Sequence, residues 1–324
     1  MIGDLTARAI RRIRRKLPFR FAGASPSIAT VLNLDVDGHL PVEFNPFVYS
    51  REYPDLANFN ESRLRRHYHE FGKSEGRRCH SVPSRQDFVA LIDDSKPVLE
   101  IGPFCSPMLR GANVKYVDVF NTAELRWRAG EYGLDVENVP EIDWVSSASD
   151  LRLVDEKFDY VVSSHVVEHQ PDFANHLGQV SGLLNSGGRY FLLIPDHRYC
   201  FDHFQASSTI AQVIGAHLEK RKVHSATSVV EHRVFTTHND PSRHWASDHG
   251  DQFENRAHRL RSSSIEYLKS GTEYLDVHAW FFTPDTFTSI VNELHEADVS
   301  PFVVERIYPT LFQTLEFWVV LKRP

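Results

Sequence analysis

The sequence is poor in the residues and segments that mark several classes of protein. It has three cysteines, far apart and none in a C-x-x-C pair, which disfavours a disulfide-stapled secreted protein and a thiolate zinc site. No apolar run approaches the roughly 18 residues that span a bilayer, and no periodic repeat is present. With 41% apolar and 24% charged residues over 324 positions, the composition predicts a soluble globular protein of one large domain or two modest ones.

Charge is distributed unevenly along the chain. The first 21 residues hold seven Lys or Arg and one Asp, whereas the remainder holds 29 basic and 42 acidic side chains. An acidic body disfavours binding to nucleic acid. Apolar residues recur at helical spacing within the basic segment 1–22, which predicts either an amphipathic helix on an anionic membrane surface or a frayed tail. We therefore expect a cytoplasmic protein, with peripheral contact to the inner face of the membrane through residues 1–21 as the first of these alternatives.

Residues 23–80 form a predicted N-terminal appendage with a small helical element. Leu64, Tyr68 and Phe71 share one helical face, and Gly72 follows as a stop signal. The pattern YPD…HY…G…EGR resembles a short module that accompanies bacterial glycan-modifying enzymes.

The segment from residue 81 onward carries the pattern of an α/β domain. Strands are predicted at 97–102, 114–120, 141–145, 158–164 and 189–195, with helices between them, and such alternation is typical of a parallel sheet covered on both faces. Two further β-runs, 302–308 and 315–322, predict a C-terminal antiparallel hairpin. We therefore predict a doubly wound, mostly parallel, seven-stranded sheet in a domain spanning 81–324.

Residues 197–278 interrupt this alternation of strands and helices, and they hold ten of the eighteen histidines. We predict helices at 208–220 and 251–270, and we interpret the block as an inserted lid over a ligand pocket, since long insertions near ligand sites are usually functional. A metal site among its histidines and aspartates is an alternative, but their spacing matches no tight ligand pattern, so we predict no metal. Several aromatic side chains are predicted either to pack in the core or to stack on a sugar: Tyr199, Phe201, Phe204, Trp245 and Trp280.

Ligands of open parallel sheets bind outside the carboxyl ends of the strands, so the residues that follow each strand are the candidates for a site. Gly102 follows the first strand. Asp118 ends the second, where its carboxylate could accept hydrogen bonds from both hydroxyls of a ribose. The candidate general bases follow the fourth and fifth strands: His165, His169, Asp196 and Asp202.

At this point the sequence resembles a known family. The order LEIG, YVD, FDYVVSSHVVEH, LLNSGG and a strand ending in IPD is similar to that of the class I S-adenosylmethionine-dependent methyltransferases, over residues 97–324. Within them, EIGPFxSP and PDxRYxFDxF resemble a bacterial subgroup linked to surface-polysaccharide biosynthesis. The resemblance implies a Rossmann-like fold, S-adenosylmethionine as cofactor, and methyl transfer to a sugar hydroxyl of a surface glycan or its precursor. Another small-molecule acceptor is the alternative.

The resemblance also implies which residues would contact the cofactor. Around the methionine part, the ribose and the adenine, these are Glu100, Gly102, Pro103, Asp118, Ser147, Ala148 and Ser164. Two features depart from the family pattern: Phe104 and Ser106 replace the later glycines of the first loop, and Ser147 replaces an acidic residue. A binding module that has kept the fold and lost catalysis is therefore a further alternative.

The segment HVVEH, from His165 to His169, also fits the H-x-x-E-H signature of a zinc hydrolase. That signature requires both histidines on one helix. Here the segment directly follows a β-run, Val166 and Val167 are poor helix formers, and Pro171 interrupts any helix. The context disfavours a zinc hydrolase.

Overall fold

The computed structural model describes residues 42–146 and 150–324. The basic segment 1–22, the start of the predicted appendage, and Ser147 and Ala148 lie outside the described residues. The expectations for these positions stay predictions. Within the described ranges, no helix combines the length and the apolar composition required to cross a membrane.

A seven-stranded sheet organises the molecule. Its strands are β1 Val98–Ile101, β2 Val114–Asp118, β3 Trp144–Val145, β4 Phe158–Ser164, β5 Leu184–Pro195, β6 Val303–Tyr308 and β7 Glu316–Lys322. Their order is β3-β2-β1-β4-β5-β7-β6, with β1 to β5 parallel and β7 antiparallel to both β5 and β6. The predicted Rossmann-like α/β sheet with an antiparallel C-terminal pair is confirmed.

Two strands differ in length from the sequence prediction. β3 is shorter than 141–145. The Asp143 amide still donates to the Tyr116 carbonyl at 2.9 Å, but the Tyr116 amide donates to the Asp143 carboxylate at 2.8 Å instead of to a backbone carbonyl of β3. β5 is longer than 189–195 and begins at Leu184, which pairs with Phe158 across a register shift.

The helices cover both faces of the sheet. They are α1 Pro46–Glu52, α2 Glu61–His67, α3 Arg85–Val89, α4 Thr122–Glu131, α5 Phe173–Leu183, α6 Ile210–Glu219, α7 Ala226–Phe235, α8 Pro241–Trp245, α9 Arg256–Ser270 and α10 Pro284–Glu296. Successive residues of β1 point to opposite faces: Leu99 packs in the larger core with α5 and α10, and Val98 packs with Phe88 of α3 in the smaller one. The sheet is therefore doubly wound, as predicted.

The appendage has a small core of its own. Tyr49 of α1 packs edge-on against Tyr68, and both are buried with Leu64. Phe71, predicted on the same face, is exposed, because the helix widens into a π-helical turn over Tyr68–Gly72, which shifts the angular positions of these residues. A Cβ at Gly72 would lie 2.0 Å from the Tyr49 hydroxyl oxygen, so only glycine fits there.

The block between β5 and α10 contains α6, α7, α8 and α9. Two of these helices were predicted, with limits of 208–220 and 251–270, and they run over Ile210–Glu219 and Arg256–Ser270. The chain leaves the sheet at Asp196 and returns beside it, where Phe282 forms a parallel bridge with Asp196. The inserted block is therefore anchored at both ends on the carboxyl edge of the sheet.

Candidate active site

A cavity of about 730 Å³ opens at the carboxyl edge of the parallel strands. Residues that follow β1, β2 and β4 line it together, among them Gly102, Asp118 and His165. The last part of the inserted block contributes Tyr274 and Asp276. The structure thus brings together one predicted residue from each of three strands, at the edge where open parallel sheets bind their ligands.

The turn after β1 depends on Gly102, which has a φ of +69° and whose amide donates to the Val117 carbonyl at 2.8 Å. A Cβ at this position would meet Val166 Cγ2 at 3.0 Å. Phe104 replaces a family glycine, but it tolerates a positive φ of 45°, lines the cavity and packs edge-on against Tyr132. The loss of the later glycines from this loop therefore leaves the cavity open.

Asp118 ends β2 with its carboxylate already oriented. Oδ1 accepts from the Val119 amide at 2.7 Å, and Oδ2 accepts from the Phe104 amide at 3.2 Å. Burial raises the pKa of this carboxyl group, although the backbone hydrogen bonds oppose that shift. Each carboxylate oxygen has a second lone pair, so Asp118 keeps the capacity to accept hydrogen bonds from a ligand.

Glu100 lies beneath the same turn. Its carboxylate accepts from the amides of Met108 at 2.7 Å and Leu109 at 3.2 Å, and it is 2% exposed. Burial raises its pKa to about 7 in spite of these hydrogen bonds. Glu100 thus holds the loop that shapes the cavity, and Pro103 stands within that loop.

His165 follows β4 at a φ of 54°, a conformation that turns its ring toward the cavity. Its Nε2 lies 2.8 Å from Oε2 of Glu316. Arg85 Nε and Trp318 Nε1 contact the other oxygen of Glu316, at 3.2 and 2.8 Å. These contacts lower the pKa of Glu316 against the effect of its burial. The imidazole is therefore oriented by an ionised carboxylate. The neighbouring Ser164 accepts a hydrogen bond from Arg85.

His169 lies across the cavity on a single 3₁₀ turn, Val167–His169. Its Nδ1 is 2.8 Å from Oδ1 of Asp276. Burial disfavours the charged imidazolium, but the contact with Asp276 and the nearby Glu168 outweigh it and raise the pKa of His169. The segment from His165 to His169 is not helical, so the geometry of the zinc-hydrolase signature is absent from these residues.

The other two predicted bases do not line the cavity. Asp196 is fully buried, and its carboxylate accepts from Arg198 at 2.6 Å and from the Thr310 hydroxyl at 2.6 Å. Asp202 is 1% exposed and contacts His278 Nδ1 at 2.5 Å. Both carboxylates contact other side chains of the protein. His165 and His169 are therefore the predicted bases that line the cavity.

Aromatic residues predicted as possible sugar platforms are engaged with other side chains. Tyr199 and Trp245 stack on each other with ring centroids 3.8 Å apart. Trp280 is 3% exposed, and its Nε1 donates to the Gln170 carbonyl at 2.5 Å. Packing is the role that the contacts support.

Sequence reasoning missed Glu316, Tyr274 and Asp276. A signal existed for Glu316, because β7 runs antiparallel and its first residue therefore lies at the carboxyl edge, opposite Pro195. No local signal existed for Tyr274 and Asp276, which reach the cavity only through the path of the inserted block.

Residues 102–192 match the family model of a methyltransferase domain. No curated protein matches the chain. Among solved structures, the CcbJ methyltransferase of Streptomyces caelestis is 18% identical with a TM-score of 0.27, over 36% of this chain and 56% of its own.

Two further structures are similar. A putative S-adenosylmethionine-dependent methyltransferase of Listeria monocytogenes is 12% identical with a TM-score of 0.38, over 74% of this chain and 96% of its own. The glycopeptide N-methyltransferase MtfA, solved with S-adenosyl-L-methionine, is 20% identical with a TM-score of 0.24, over 31% of this chain and 47% of its own. The chain thus spans about half the length of CcbJ and MtfA. Residues 102–192 thus match a methyltransferase domain, in line with the family resemblance.

Proposed function

We propose that this protein transfers the methyl group of S-adenosylmethionine to a hydroxyl group of a sugar, within a surface glycan or its precursor. The observation that carries the proposal is the convergence of Gly102, Asp118 and His165 on one cavity at the carboxyl edge of the sheet. The cavity, at about 730 Å³, falls within the size range of small-molecule sites.

The residues present fit the cofactor. Asp118 offers free lone pairs of a buried, anchored carboxylate, which suit the two hydroxyls of a ribose. Gly102 presents bare backbone where a side chain would crowd Val166. When bound, S-adenosylmethionine supplies a methyl group activated by a positively charged sulfur.

The contribution of the chain to the reaction is alignment, exclusion of water and proton transfer. A sugar hydroxyl has a high pKa, so a positioned base speeds its attack by about 10²- to 10⁴-fold. We assign this role to His165. Its Nε2–H faces Glu316, so Nδ1 keeps the lone pair that accepts the proton of the acceptor hydroxyl, and Glu316 stabilises the imidazolium that forms.

The sugar acceptor is supported by the family resemblance and by the polar wall of the cavity. His169, Gln170, Tyr274 and Asp276 offer donors and acceptors on the side contributed by the turn after β4 and the inserted block. Such a wall suits an acceptor with several hydroxyl groups. Action near the inner face of the membrane, through residues 1–21, is part of the same proposal.

Two measurements test the proposal. Calorimetric titration with S-adenosylmethionine should show stoichiometric binding, and absence of binding would favour a scaffold without catalysis. Mass spectrometry of surface glycans from cells with and without the gene should show a loss equal to one methylene group. Unchanged glycans together with tight cofactor binding would redirect the search to another small-molecule acceptor.

A further inference from the structure

The wall of the cavity contains a buried carboxylate without a partner. The Glu168 side chain is 0% exposed, and neither of its oxygens has a hydrogen-bond partner among the described residues. Its backbone is fixed, because the Glu168 carbonyl accepts from the Ala279 amide at 2.7 Å. A buried charge without compensation is strongly unfavourable, so a cation or a proton belongs beside this group.

Three imidazoles surround the Glu168 carboxylate at similar distances. From its Oε1, the ring nitrogens lie at 3.8 Å for His165 Nδ1, 3.9 Å for His169 Nε2 and 4.0 Å for His278 Nε2. These separations are too long for hydrogen bonds. They are close to the separation between two ligands that share one metal ion.

The other nitrogen of each ring is held by a carboxylate. The contacts are His165 Nε2 to Glu316 at 2.8 Å, His169 Nδ1 to Asp276 at 2.8 Å and His278 Nδ1 to Asp202 at 2.5 Å. For His165 and His278 these contacts are hydrogen bonds and keep the ring proton on the outer nitrogen, whereas His169 Nδ1 lies close to Asp276 without the geometry of a hydrogen bond. The inner nitrogens of His165 and His278 therefore present lone pairs toward Glu168, and a metal ion would displace the proton of His169 Nε2 to gain the third.

We propose that Glu168, His169 and His278 bind one divalent transition-metal ion through Glu168 Oε1 and the two Nε2 atoms. One ligand atom from each residue lies within 4.8 Å of the others. Tetrahedral ligands at ordinary zinc distances are about 3.4 Å apart, so the site contracts by roughly half an ångström around the ion.

The ligand set selects the kind of metal. Two imidazoles and one carboxylate suit Zn²⁺, Fe²⁺ or Co²⁺, whereas Mg²⁺ prefers oxygen ligands and retained water.

A neighbouring set, Asp202, His232 and His278, is also compact, but three of its polar atoms already contact one another or the backbone. Asp202 already contacts His278 Nδ1, and His232 Nδ1 accepts from the His278 amide at 3.1 Å. The H-x-x-E-H match pointed to zinc at Glu168 and His169, but sequence spacing gave no indication of His278, which lies more than a hundred residues away.

The position of the site indicates what an ion would do there. His169 and His165 line the cavity, so the ion borders the space where the acceptor binds. A metal there would hold an acceptor oxygen and lower its pKa, beside the base His165. This role rests on the proposed methyl transfer, whereas metal binding itself does not.

The test measures metal binding by the full chain without cofactor or acceptor. Metal-free protein is dialysed against Zn²⁺, Co²⁺ or Mg²⁺, and bound metal is counted by mass spectrometry. We expect Zn²⁺ and Co²⁺ to bind and Mg²⁺ not to bind. The Glu168→Gln variant should bind one metal ion fewer per chain and should lack the visible absorption of bound Co²⁺. The Asp276→Asn variant should bind Zn²⁺ about 10- to 100-fold more weakly.

A second histidine cluster provides the control. His203, His244 and His249 also lie within ligand distance of one another, and His249 stacks on His203 at 3.5 Å. His249→Ala should leave the equivalent that depends on Glu168 in place. Equal metal content in the wild type and a folded Glu168→Gln variant, checked by circular dichroism, would overturn the proposal. Failure of the wild type to bind S-adenosylmethionine would count against the proposed function and not against the metal site.

Discussion

At the scale of single residues, the site relies on carboxylates that orient other groups. Asp118 is anchored by two backbone amides, and Glu316 is held by His165, Arg85 and Trp318. Anchoring of this kind fixes a side chain before the ligand arrives, so less conformational freedom is lost on binding.

Replacing Asp118 by Asn should weaken binding of S-adenosylmethionine by about 1–3 kcal/mol, because a charged acceptor of two ribose hydrogen bonds becomes a neutral amide. Isothermal titration calorimetry measures the change. Asp143→Asn is the matched control, since Asp143 also accepts from a backbone amide next to β2 but does not line the cavity. Equal dissociation constants for wild type and Asp118→Asn would remove Asp118 from the cofactor site.

Replacing Glu316 by Gln should lower turnover by about 10²-fold or more, because the imidazolium of His165 loses its anionic partner. Affinity for S-adenosylmethionine should stay nearly constant. Turnover is read as S-adenosylhomocysteine formed with a glycan extract as acceptor.

Glu305→Gln is the control for Glu316, since Glu305 pairs with Arg189 at 2.6 Å elsewhere on the sheet. If the Glu316→Gln and Glu305→Gln variants have the same turnover, Glu316 does not support a catalytic base at His165.

At the scale of elements, the sequence predicted the helices and strands that have a local pattern of apolar residues. It missed the limits of two strands, which depend on partners distant in sequence. The C-terminal β-runs were predicted at 302–308 and 315–322, and β6 and β7 run over Val303–Tyr308 and Glu316–Lys322. The limits of β3 and β5 were not predicted, because they are set by Tyr116 and Phe158 on neighbouring strands. Pairing across a sheet has no signature in either strand alone.

The start of α10 offers a test of element stability. Thr283 accepts from the Thr286 amide at 3.2 Å in a capping box, and the helix buries Phe287 and Val291. Thr283→Ala should reduce the free energy of unfolding by about 1 kcal/mol. Ser289→Ala, on the exposed face of the same helix, should change it by less than about 0.5 kcal/mol. Urea denaturation compares the two, and equal effects would contradict the capping role.

At the scale of the whole molecule, the parts of the site predicted from sequence are those that end strands. Gly102, Asp118 and His165 follow from the rule for open parallel sheets. Asp196 also follows a strand, yet it is covered by Thr310 and turned to Arg198. Which strand-end side chain faces a cavity depends on how the loops above the sheet pack, and a single sequence does not contain that information.

Buried histidines should make the molecule sensitive to acid. Burial lowers the pKa of His80 to about 4, whereas an unfolded chain binds that proton near 6.5. As pH falls through this window the unfolded state is protonated first, so stability is lost at about 1.4 kcal/mol per pH unit for this histidine. Above pH 6.5 its contribution is complete.

His80→Gln should therefore lose less stability than the wild type between pH 7 and pH 5. Glutamine keeps a donor but does not titrate in this range. Urea denaturation at the two pH values gives the comparison. Parallel losses in both proteins would show that His80 titrates normally in the folded state.

The position of β7 has a consequence for how the protein is made. Although it comes last of the seven strands in sequence, β7 lies between β5 and β6 and provides Glu316. While the ribosome is still adding the residues before it, β6 has no strand to join and the imidazole of His165 has no carboxylate beside it. A nascent chain can thus pair β1 to β5 early. The candidate site is complete only when β7 inserts between β5 and β6.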